Sequence, residues 1–301
     1  MKRERKATDF ERENMVPEYW KPFKGKAIYS PKGKASEYAK YACNFYVGCS
    51  NGCTYCYCKK GILAGTMGCD TPTLKKCFKD ENHALEIFEK ELKKNLSELQ
   101  KHGLFFSFTT DPMLSEMNMK NGEHITIKAL AIACYYKCPV KILTKRADIL
   151  HKFINPEFEE LRFVIDKYRP LIAIGFTLTG HDELEPNASP NEQRIEAMKK
   201  LHDAGFKTFA SIEPVINFES SYYIIIQTLY KCCDLYKIGL ESGKKYDKKQ
   251  LVEFMNKVIK VTSQYYGVKI YFKDSLLKQA GINREDLPDN CVGRDYNIFN
   301  S

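Results

Sequence analysis

Short apolar segments alternate with amphipathic helical segments along most of this 301-residue chain. From residue 38 onward the pattern predicts about seven strands separated by about six helices. Such alternation is typical of parallel strands joined by right-handed helical crossovers. These units are too few for a closed eight-fold barrel, so the sequence predicts an α/β fold of the TIM type, a partial (β/α)6 barrel with outer helices.

The individual elements are predicted from apolar periodicity and from helix-capping signals. The predicted strands cover residues 38–47, 104–109, 140–144, 171–178, 208–212, 235–238 and 268–272. The predicted helices cover residues 81–101, 123–136, 148–167, 190–204, 219–231 and 247–266. Asp80 is expected to cap the first helix, and Ser189-Pro190-Asn191-Glu192 has the form of a capping box. Residues 57–80 are predicted to be irregular.

The first 37 residues differ in character from the rest. They are charged and interrupted by proline and glycine, so we expect residues 1–37 to be an arm packed on one domain formed by residues 38–301. The chain opens with Met-Lys-Arg-Glu-Arg-Lys, and no apolar run reaches the roughly 18–20 residues of a membrane helix. These features predict a cytoplasmic protein with reduced thiols and no membrane partner.

Cys49, Cys53 and Cys56 form a C-x3-C-x2-C run. A structural zinc ion takes four protein ligands, and an electron-transfer [4Fe–4S] cluster also takes four cysteines. Three thiolates close together are therefore one ligand short. The spacing predicts a metal or iron–sulfur site with one open coordination position, where a substrate or cofactor can bind.

The twelve cysteines of the chain allow other roles besides this open site. Cys58 supplies another thiol, so a four-cysteine zinc site is an alternative, although the chain has no second C-x2-C knuckle. A second metal site at Cys58, Cys69 and Cys77 is a further alternative. Burial as small apolar side chains is the default for Cys134, Cys138, Cys232 and Cys233. A disulfide framework is disfavoured, because a chain of this length can build a core without one.

The segment Asn44–Tyr57 has the form N-x-Y-x-G-C-x-x-x-C-x-Y-C-Y. It resembles the cluster loop of the radical S-adenosylmethionine (SAM) enzymes, in the branch related to spore photoproduct lyase. Residues 28–38 are similar to the lead-in of that branch. The resemblance implies a partial barrel of the radical SAM kind, with a [4Fe–4S] cluster on Cys49, Cys53 and Cys56 and SAM on the fourth iron.

The resemblance also implies an activity. An electron from flavodoxin or ferredoxin would allow SAM to be cleaved to methionine and a 5′-deoxyadenosyl radical, which abstracts hydrogen from a substrate. In spore photoproduct lyases a hydrogen-donating cysteine stands just before the Ser-Asp of the second-strand motif. Here that position is Thr109, which disfavours a spore photoproduct lyase proper.

Polar residues follow several predicted strands. Ligands of parallel α/β folds bind beyond the carboxyl ends of the strands, so these residues are candidates by position. The candidates are Thr110, Asp111, Glu116, Lys145, Thr177, Glu213 and Glu241. From the chemistry of SAM, we expect Asp111 to take the ammonium group, Lys145 the carboxylate, a glutamate the ribose, and Tyr55 or apolar strand ends the adenine.

The resemblance to the branch extends from about residue 28 to about residue 216. Thr110, Asp111, Lys145 and Thr177 match its strand-end positions. Glu116, Glu213 and Glu241 are expected to act in acid/base chemistry or binding. Cys58 is a candidate hydrogen donor or persulfide carrier, with loop packing as the favoured alternative.

The net charge of +9 suits an anionic partner. Nucleic acid is the leading expectation for the substrate, with a peptide or small metabolite close behind. There is no H-x-x-x-H pair, phosphate-binding P-loop or nucleophile-elbow serine, which argues against a His-metal hydrolase and a P-loop enzyme. The alternative function is a non-catalytic nucleic-acid-binding protein stabilised by zinc or by a cluster. The oligomeric state is not predicted.

Overall fold

A computed structural model of the chain describes residues 22–154, 159–229 and 232–300. The strands are β1 (Ile28–Tyr29), β2 (Ala42–Cys43), β3 (Tyr46–Val47), β4 (Thr73–Leu74), β5 (Leu104–Phe106), β6 (Val140–Thr144), β7 (Ile172–Thr177), β8 (Lys207–Val215), β9 (Leu235–Leu240) and β10 (Lys269–Phe272). The α-helices are Ala64–Met67, Glu81–Lys94, Leu96–His102, Ile125–Tyr135, Leu150–Ile154, Glu159–Tyr168, Asn191–Asp203, Phe218–Leu229, Lys248–Thr262 and Asp274–Ala280.

Eight of these strands form one sheet in the order β1-β2-β5-β6-β7-β8-β9-β10. Every neighbouring pair from β2 to β10 is parallel, and β1 pairs antiparallel with β2. Strands β3 and β4 form a separate antiparallel pair. The parallel strands and their helices confirm the predicted partial barrel.

Alternate residues of the strands enter two apolar layers. Ile172 and Ile174 of β7 belong to the large core between the sheet and the helices, to which the Glu81–Lys94 helix contributes Phe88. Ala173 faces the other side, together with Phe105 and other residues of a smaller inner core. This alternation is the period of two expected for strands that are buried on both faces.

The helices follow the predicted order, with their boundaries set by local hydrogen bonding. Asp80 caps the helix that begins at Glu81, as predicted, because its carboxylate accepts from the His83 N–H at 2.8 Å. That helix ends at Lys94, and a second one begins at Leu96. Asn95 separates the two with φ −120°, a non-helical conformation that asparagine readily adopts. Among the described residues, no helix has the combination of length and apolar surface that crossing a membrane requires.

Several predicted elements differ in the structure. Residues 57–80, predicted to be irregular, contain the helix Ala64–Met67 and strand β4, and the helix predicted over residues 81–101 is the pair of helices described above. The predicted capping box is wrong, because Ser189 accepts from the Ala147 N–H at 2.9 Å and does not cap the helix beginning at Asn191. The helix predicted over residues 148–167 is two helices, and residues 155–158 between them lie outside the described residues. The strand predicted over residues 38–47 contains only the two-residue strands β2 and β3, because residues 44 and 45 leave the main sheet to pair β3 with β4.

The predicted arm, residues 1–37, lies partly outside the described residues, which begin at residue 22. Its described part contains β1 and a 3₁₀ turn, Gly33–Glu37, that reaches the far edge of the sheet. There the Glu37 carboxylate accepts from the Tyr271 hydroxyl and from the Asp274 N–H, each at 2.9 Å. Lys237 Nζ of β9 donates to the Glu37 carbonyl oxygen at 2.8 Å. This segment therefore joins β2 to the last strands of the open barrel, and the domain boundary at residue 38 stays a prediction.

We expect Glu37→Ala to lower the free energy of unfolding by about 2–4 kcal/mol, because the buried Tyr271 hydroxyl and Asp274 N–H lose their charged acceptor. Urea unfolding followed by circular dichroism measures the change. Glu196→Ala is the matched control, since Glu196 is exposed and pairs with Lys200 four residues later on the same helix. The control should stay within about 0.5 kcal/mol of the unaltered protein. Equal losses in both variants would contradict the role of Glu37.

Candidate active site

A cavity of about 440 Å³ opens at the carboxyl ends of the parallel strands. Side chains from the three-cysteine loop and from the ends of β5 to β10 line it. All of the sequence-predicted site residues except Glu116 are among them: Cys49, Cys53, Tyr55, Cys56, Cys58, Thr110, Asp111, Lys145, Thr177, Glu213 and Glu241. The rule that ligands bind beyond the carboxyl ends of parallel strands thus places the predicted residues around one space.

The three-cysteine loop follows β3 and is held by backbone contacts. Gly48 enters it with φ +83°, and a Cβ at this position would lie 2.6 Å from the Thr71 carbonyl oxygen. Glycine is therefore required here on both conformational and steric grounds. The Cys49 N–H then donates to the Cys69 carbonyl at 3.0 Å, which fixes the start of the loop.

The segment after β7 clamps the other side of this loop. The Thr54 N–H donates to the Leu184 carbonyl at 3.0 Å, and the Asn187 N–H donates to the Asn51 carbonyl at 3.2 Å. Asn187 Nδ2 also donates to the Ser50 carbonyl at 3.0 Å. The loop is thus fixed along its length by residues far away in the sequence.

Each thiol of the loop has its own electrostatic environment. Burial raises the pKa of Cys49 to about 11, although backbone N–H groups of Asn51 and Asp111 hydrogen-bond to its sulfur. Burial also raises the pKa of Cys53. A hydrogen bond from the Cys58 thiol lowers the pKa of Cys56 to about 6. Donors aimed at sulfur stabilise thiolates and tune the potential of any cluster that the thiolates bind.

Three thiols in one loop are a donor set that an iron–sulfur cluster can use. Among the described residues, no group of three or more His, Cys, Asp or Glu side chains is arranged to hold one metal ion, and this includes Cys58, Cys69 and Cys77. A tetrahedral zinc ion needs ligands that converge on one point. Cluster thiolates bind different iron atoms and stay farther apart. Three thiols at the edge of a cavity are compatible with a cluster that has one iron open to a ligand.

Tyr55 of the loop leads into a buried charged group that sequence reasoning missed. Its hydroxyl donates to Glu185 Oε1, and burial raises the pKa of Tyr55, so the phenol stays protonated. Glu185 Oε2 lies 2.6 Å from Arg194 NH2 in an ion pair with both side chains fully buried. Lys145 Nζ lies 3.9 Å from Glu185 Oε1 and 5.4 Å from the centre of the Tyr55 ring.

Arg194 is anchored further by main-chain oxygens. Its NH1 donates to the Thr177 carbonyl at 2.8 Å and its Nε donates to the Ser189 carbonyl. One sequence signal for this role existed. Arg194 lies three, four and seven residues before Ala197, Met198 and Leu201, on the buried stripe of its helix. A charged residue on such a stripe indicates a buried partner.

Asp111 is surrounded by protein donors. Its Oδ1 accepts from Thr144 Oγ1 at 2.6 Å and from the Met113 N–H at 3.0 Å. Its Oδ2 accepts from Asn51 Nδ2 at 2.8 Å and from the Lys145 N–H at 2.7 Å. The carboxylate therefore ties the three-cysteine loop to the ends of β5 and β6.

A second ion pair, between the buried Lys273 and the partly exposed Glu213, lies across the cavity. Lys273 Nζ donates to both carboxylate oxygens of Glu213, at 2.9 and 3.0 Å, and Tyr38 donates to Glu213 Oε2 at 2.6 Å. Glu213 lies where the register of β8 shifts against β9, and such bulges often redirect side chains beside active sites. A Cβ on Gly239 would lie 2.7 Å from both Glu213 Cδ and Lys273 Cδ, so glycine leaves room for the pair.

The remaining predicted residues have less elaborate surroundings. Glu241 Oε1 lies 3.3 Å from Lys60 Nζ, and Cys58 Sγ lies 3.8 Å from the Phe108 carbonyl oxygen. Glu116 lies outside the cavity lining, in a 3₁₀ turn. Partial burial would raise its pKa, but hydrogen bonds, the largest from Ser50, lower it overall.

Comparisons with known proteins agree with this architecture. No protein-family model matches the chain. Among curated proteins, the Uncharacterized protein MJ0683 of Methanocaldococcus jannaschii is 25% identical over 186 residues. The match covers 59% of this chain and 61% of that protein, so it spans less than two thirds of the relative.

Solved structures of spore photoproduct lyase have a similar fold. The enzyme complexed with dinucleoside spore photoproduct matches with a TM-score of 0.60 at 14% identity, over 85% of this chain and 81% of that chain. A mutant with bound AdoMet and dinucleoside spore photoproduct matches with a TM-score of 0.58 at 13% identity, over 81% of this chain and 78% of that chain. The protein described here therefore has the same partial-barrel fold as these lyase structures.

We expect Arg194→Met to lower the free energy of unfolding by about 3–5 kcal/mol, because Glu185 would keep a buried charge without its closest cation. Thermal and urea unfolding measure the loss. Arg162→Met serves as the control, since Arg162 is exposed on its helix, and should change stability by no more than about 0.5 kcal/mol. A loss for Arg194→Met as small as that of the control would show that the pair is dispensable.

Proposed function

We propose that this protein is a radical SAM enzyme that holds a [4Fe–4S] cluster on Cys49, Cys53 and Cys56 and binds SAM in the adjoining cavity. The observation that carries the proposal is the position of the three-cysteine loop. It borders a cavity at the carboxyl ends of a parallel partial barrel, where the candidate SAM ligands also lie. The fold shared with spore photoproduct lyase supports the same function.

When bound, the cluster and SAM would supply a 5′-deoxyadenosyl radical after one electron arrives from a reductant such as flavodoxin or ferredoxin. The protein's own residues position the ligand and exclude water. Lys145 is proposed to bind the SAM carboxylate, with Tyr55, Thr110 and Thr177 around the rest of the molecule. The Glu185 network holds Lys145 and Tyr55 in place beside the thiols.

The far side of the cavity is proposed to receive the substrate. Glu213 and Glu241 line this space, and Cys58 lines the cavity beside Cys56. These three residues are the candidates for binding or proton transfer. Lys32 and Lys34 line it too and are exposed, which favours an anionic substrate such as nucleic acid. Thr109 donates from its hydroxyl to the Tyr46 carbonyl at 2.6 Å and supplies no thiol, so the substrate is proposed to differ from a spore photoproduct.

We expect Cys53→Ala to abolish the visible absorbance of the reconstituted cluster and the formation of 5′-deoxyadenosine from SAM and dithionite. The reason is that three thiolates already leave one iron of the cluster without a protein ligand, and the two that remain are too few to retain the cluster. Anaerobic reconstitution, absorbance spectroscopy and chromatography of the nucleoside product measure both effects. Cys291→Ala is the matched control, since this half-buried thiol lies outside the cavity lining, and it should retain both properties. Retention of both properties by Cys53→Ala would contradict the proposal.

The net charge of +9 and the exposed lysines also favour a second candidate, a nucleic-acid-binding protein without catalysis that zinc or a cluster stabilises. Metal analysis of anaerobically purified protein separates the enzyme from the zinc-stabilised form, and formation of 5′-deoxyadenosine separates it from the cluster-stabilised form. For the enzyme we expect a content of about four iron and about four sulfide per chain. The zinc-stabilised binding protein predicts about one zinc and no iron. Nucleic-acid affinity that weakens with salt is compatible with both candidates and does not discriminate between them.

A further inference from the structure

Asn51, in the middle of the three-cysteine loop, carries a buried acceptor that no described residue satisfies. The residue is 2% exposed and is one of those that line the cavity. Its Oδ1 has no hydrogen-bond partner among the described residues. A buried acceptor left without a donor costs free energy, and native proteins leave few of them unless a ligand or water supplies the donor.

The orientation of the Asn51 amide is set by its surroundings. Nδ2 donates to Asp111 Oδ2, and a carboxylate accepts hydrogen bonds but cannot donate them when ionised. The oxygen of the amide must therefore point away from Asp111. The main chain of Asn51 is fixed as well, because its carbonyl accepts from the Asn187 N–H and its N–H hydrogen-bonds to Cys49.

Asp111 has little capacity left for a ligand. A carboxylate offers about four acceptor positions, and protein donors take all of them: Thr144, Met113, Asn51 and Lys145. A cationic ligand in the cavity gains no further hydrogen bond from this residue without displacing one of these donors. The negative charge of Asp111 still polarises the Asn51 amide toward a stronger acceptor at Oδ1.

We infer that Asn51 Oδ1 accepts a hydrogen bond from the ammonium group of the ligand's methionine moiety, and that Asp111 is the positioning residue behind it. This assignment rests on the proposed function. A ligand bound at an open iron corner has its donor groups beside the loop that carries the thiols, which is where Asn51 lies. Lys145, whose N–H donates to the same Asp111 oxygen as Asn51 Nδ2, is the cation suited to the neighbouring carboxylate of the same moiety.

The test compares two ligands on protein with the oxidised cluster, by anaerobic titration calorimetry. One ligand is SAM and the other is the analogue in which hydrogen replaces the amino group. Asn51→Ala should weaken SAM binding about ten- to hundredfold, the range for a hydrogen bond to a charged group, and leave the analogue nearly unchanged. Asp111→Asn should also weaken SAM more than the analogue, but by a smaller factor than Asn51→Ala, because it loosens and depolarises the Asn51 amide without removing it.

Controls keep the outcomes separate. Asn256→Ala, an exposed asparagine on the Lys248–Thr262 helix, should alter neither affinity. Equal weakening of both ligands by Asn51→Ala would overturn the assignment, as would a selective loss of SAM binding that is larger in Asp111→Asn than in Asn51→Ala. If Asn51→Ala does not load the cluster, Asn51→Ser replaces it, and failure of both variants to load would mark Asn51 as a loop-building residue and likewise overturn the assignment. Absence of a cluster or of SAM binding in the unaltered protein is a different result, because it removes the proposed function itself.

Discussion

The parallel direction of β2 and of β5 to β10 in the main sheet is the constraint on which the rest of the structure depends. Parallel strands end at the same edge of a sheet, so six separate strand ends bring their polar side chains to one opening. Inside the sheet, aromatic residues such as Phe105 and Phe209 fill the barrel, and toward the opening they give way to Ser211 and Glu213. A packed interior and a polar opening therefore follow from a single topological choice.

The charged groups at this opening are held in pairs and networks. Removing an isolated charge from water is unfavourable, so each buried carboxylate here has specific partners. Glu185 is matched by Arg194, and Glu213 by Lys273. The three-cysteine loop is bonded to Asp111, Glu185 and Asn187, which lie far from it in the chain, so it is fixed before any ligand arrives. A preorganised loop favours a site that binds a reactive ligand in one orientation.

The sequence predicted the fold and most of the cavity because those features follow local rules. Hydrophobic periodicity gave the strands and helices, and strand ends identified Asp111, Lys145 and Glu213. The missed residues have functions that depend on distant partners. Tyr38 and Lys273 resemble ordinary residues until the fold places them against Glu213. The four donors around Asp111 likewise come from three segments of the chain. No local sequence pattern predicts that these segments meet at one carboxylate.

The turn at Gly33–Glu37 and the residue after it close the open barrel with side chains. Elsewhere the sheet is held by main-chain hydrogen bonds, which almost any residue type supplies, whereas this seam needs a carboxylate at Glu37 and a hydroxyl at Tyr271. Substitutions at Glu37 and Tyr271 are therefore expected to depend on each other. A substitution at one of them becomes tolerable only in chains that already carry a compensating change at the other, so this edge of the barrel should evolve by paired replacements while the neighbouring strands vary independently.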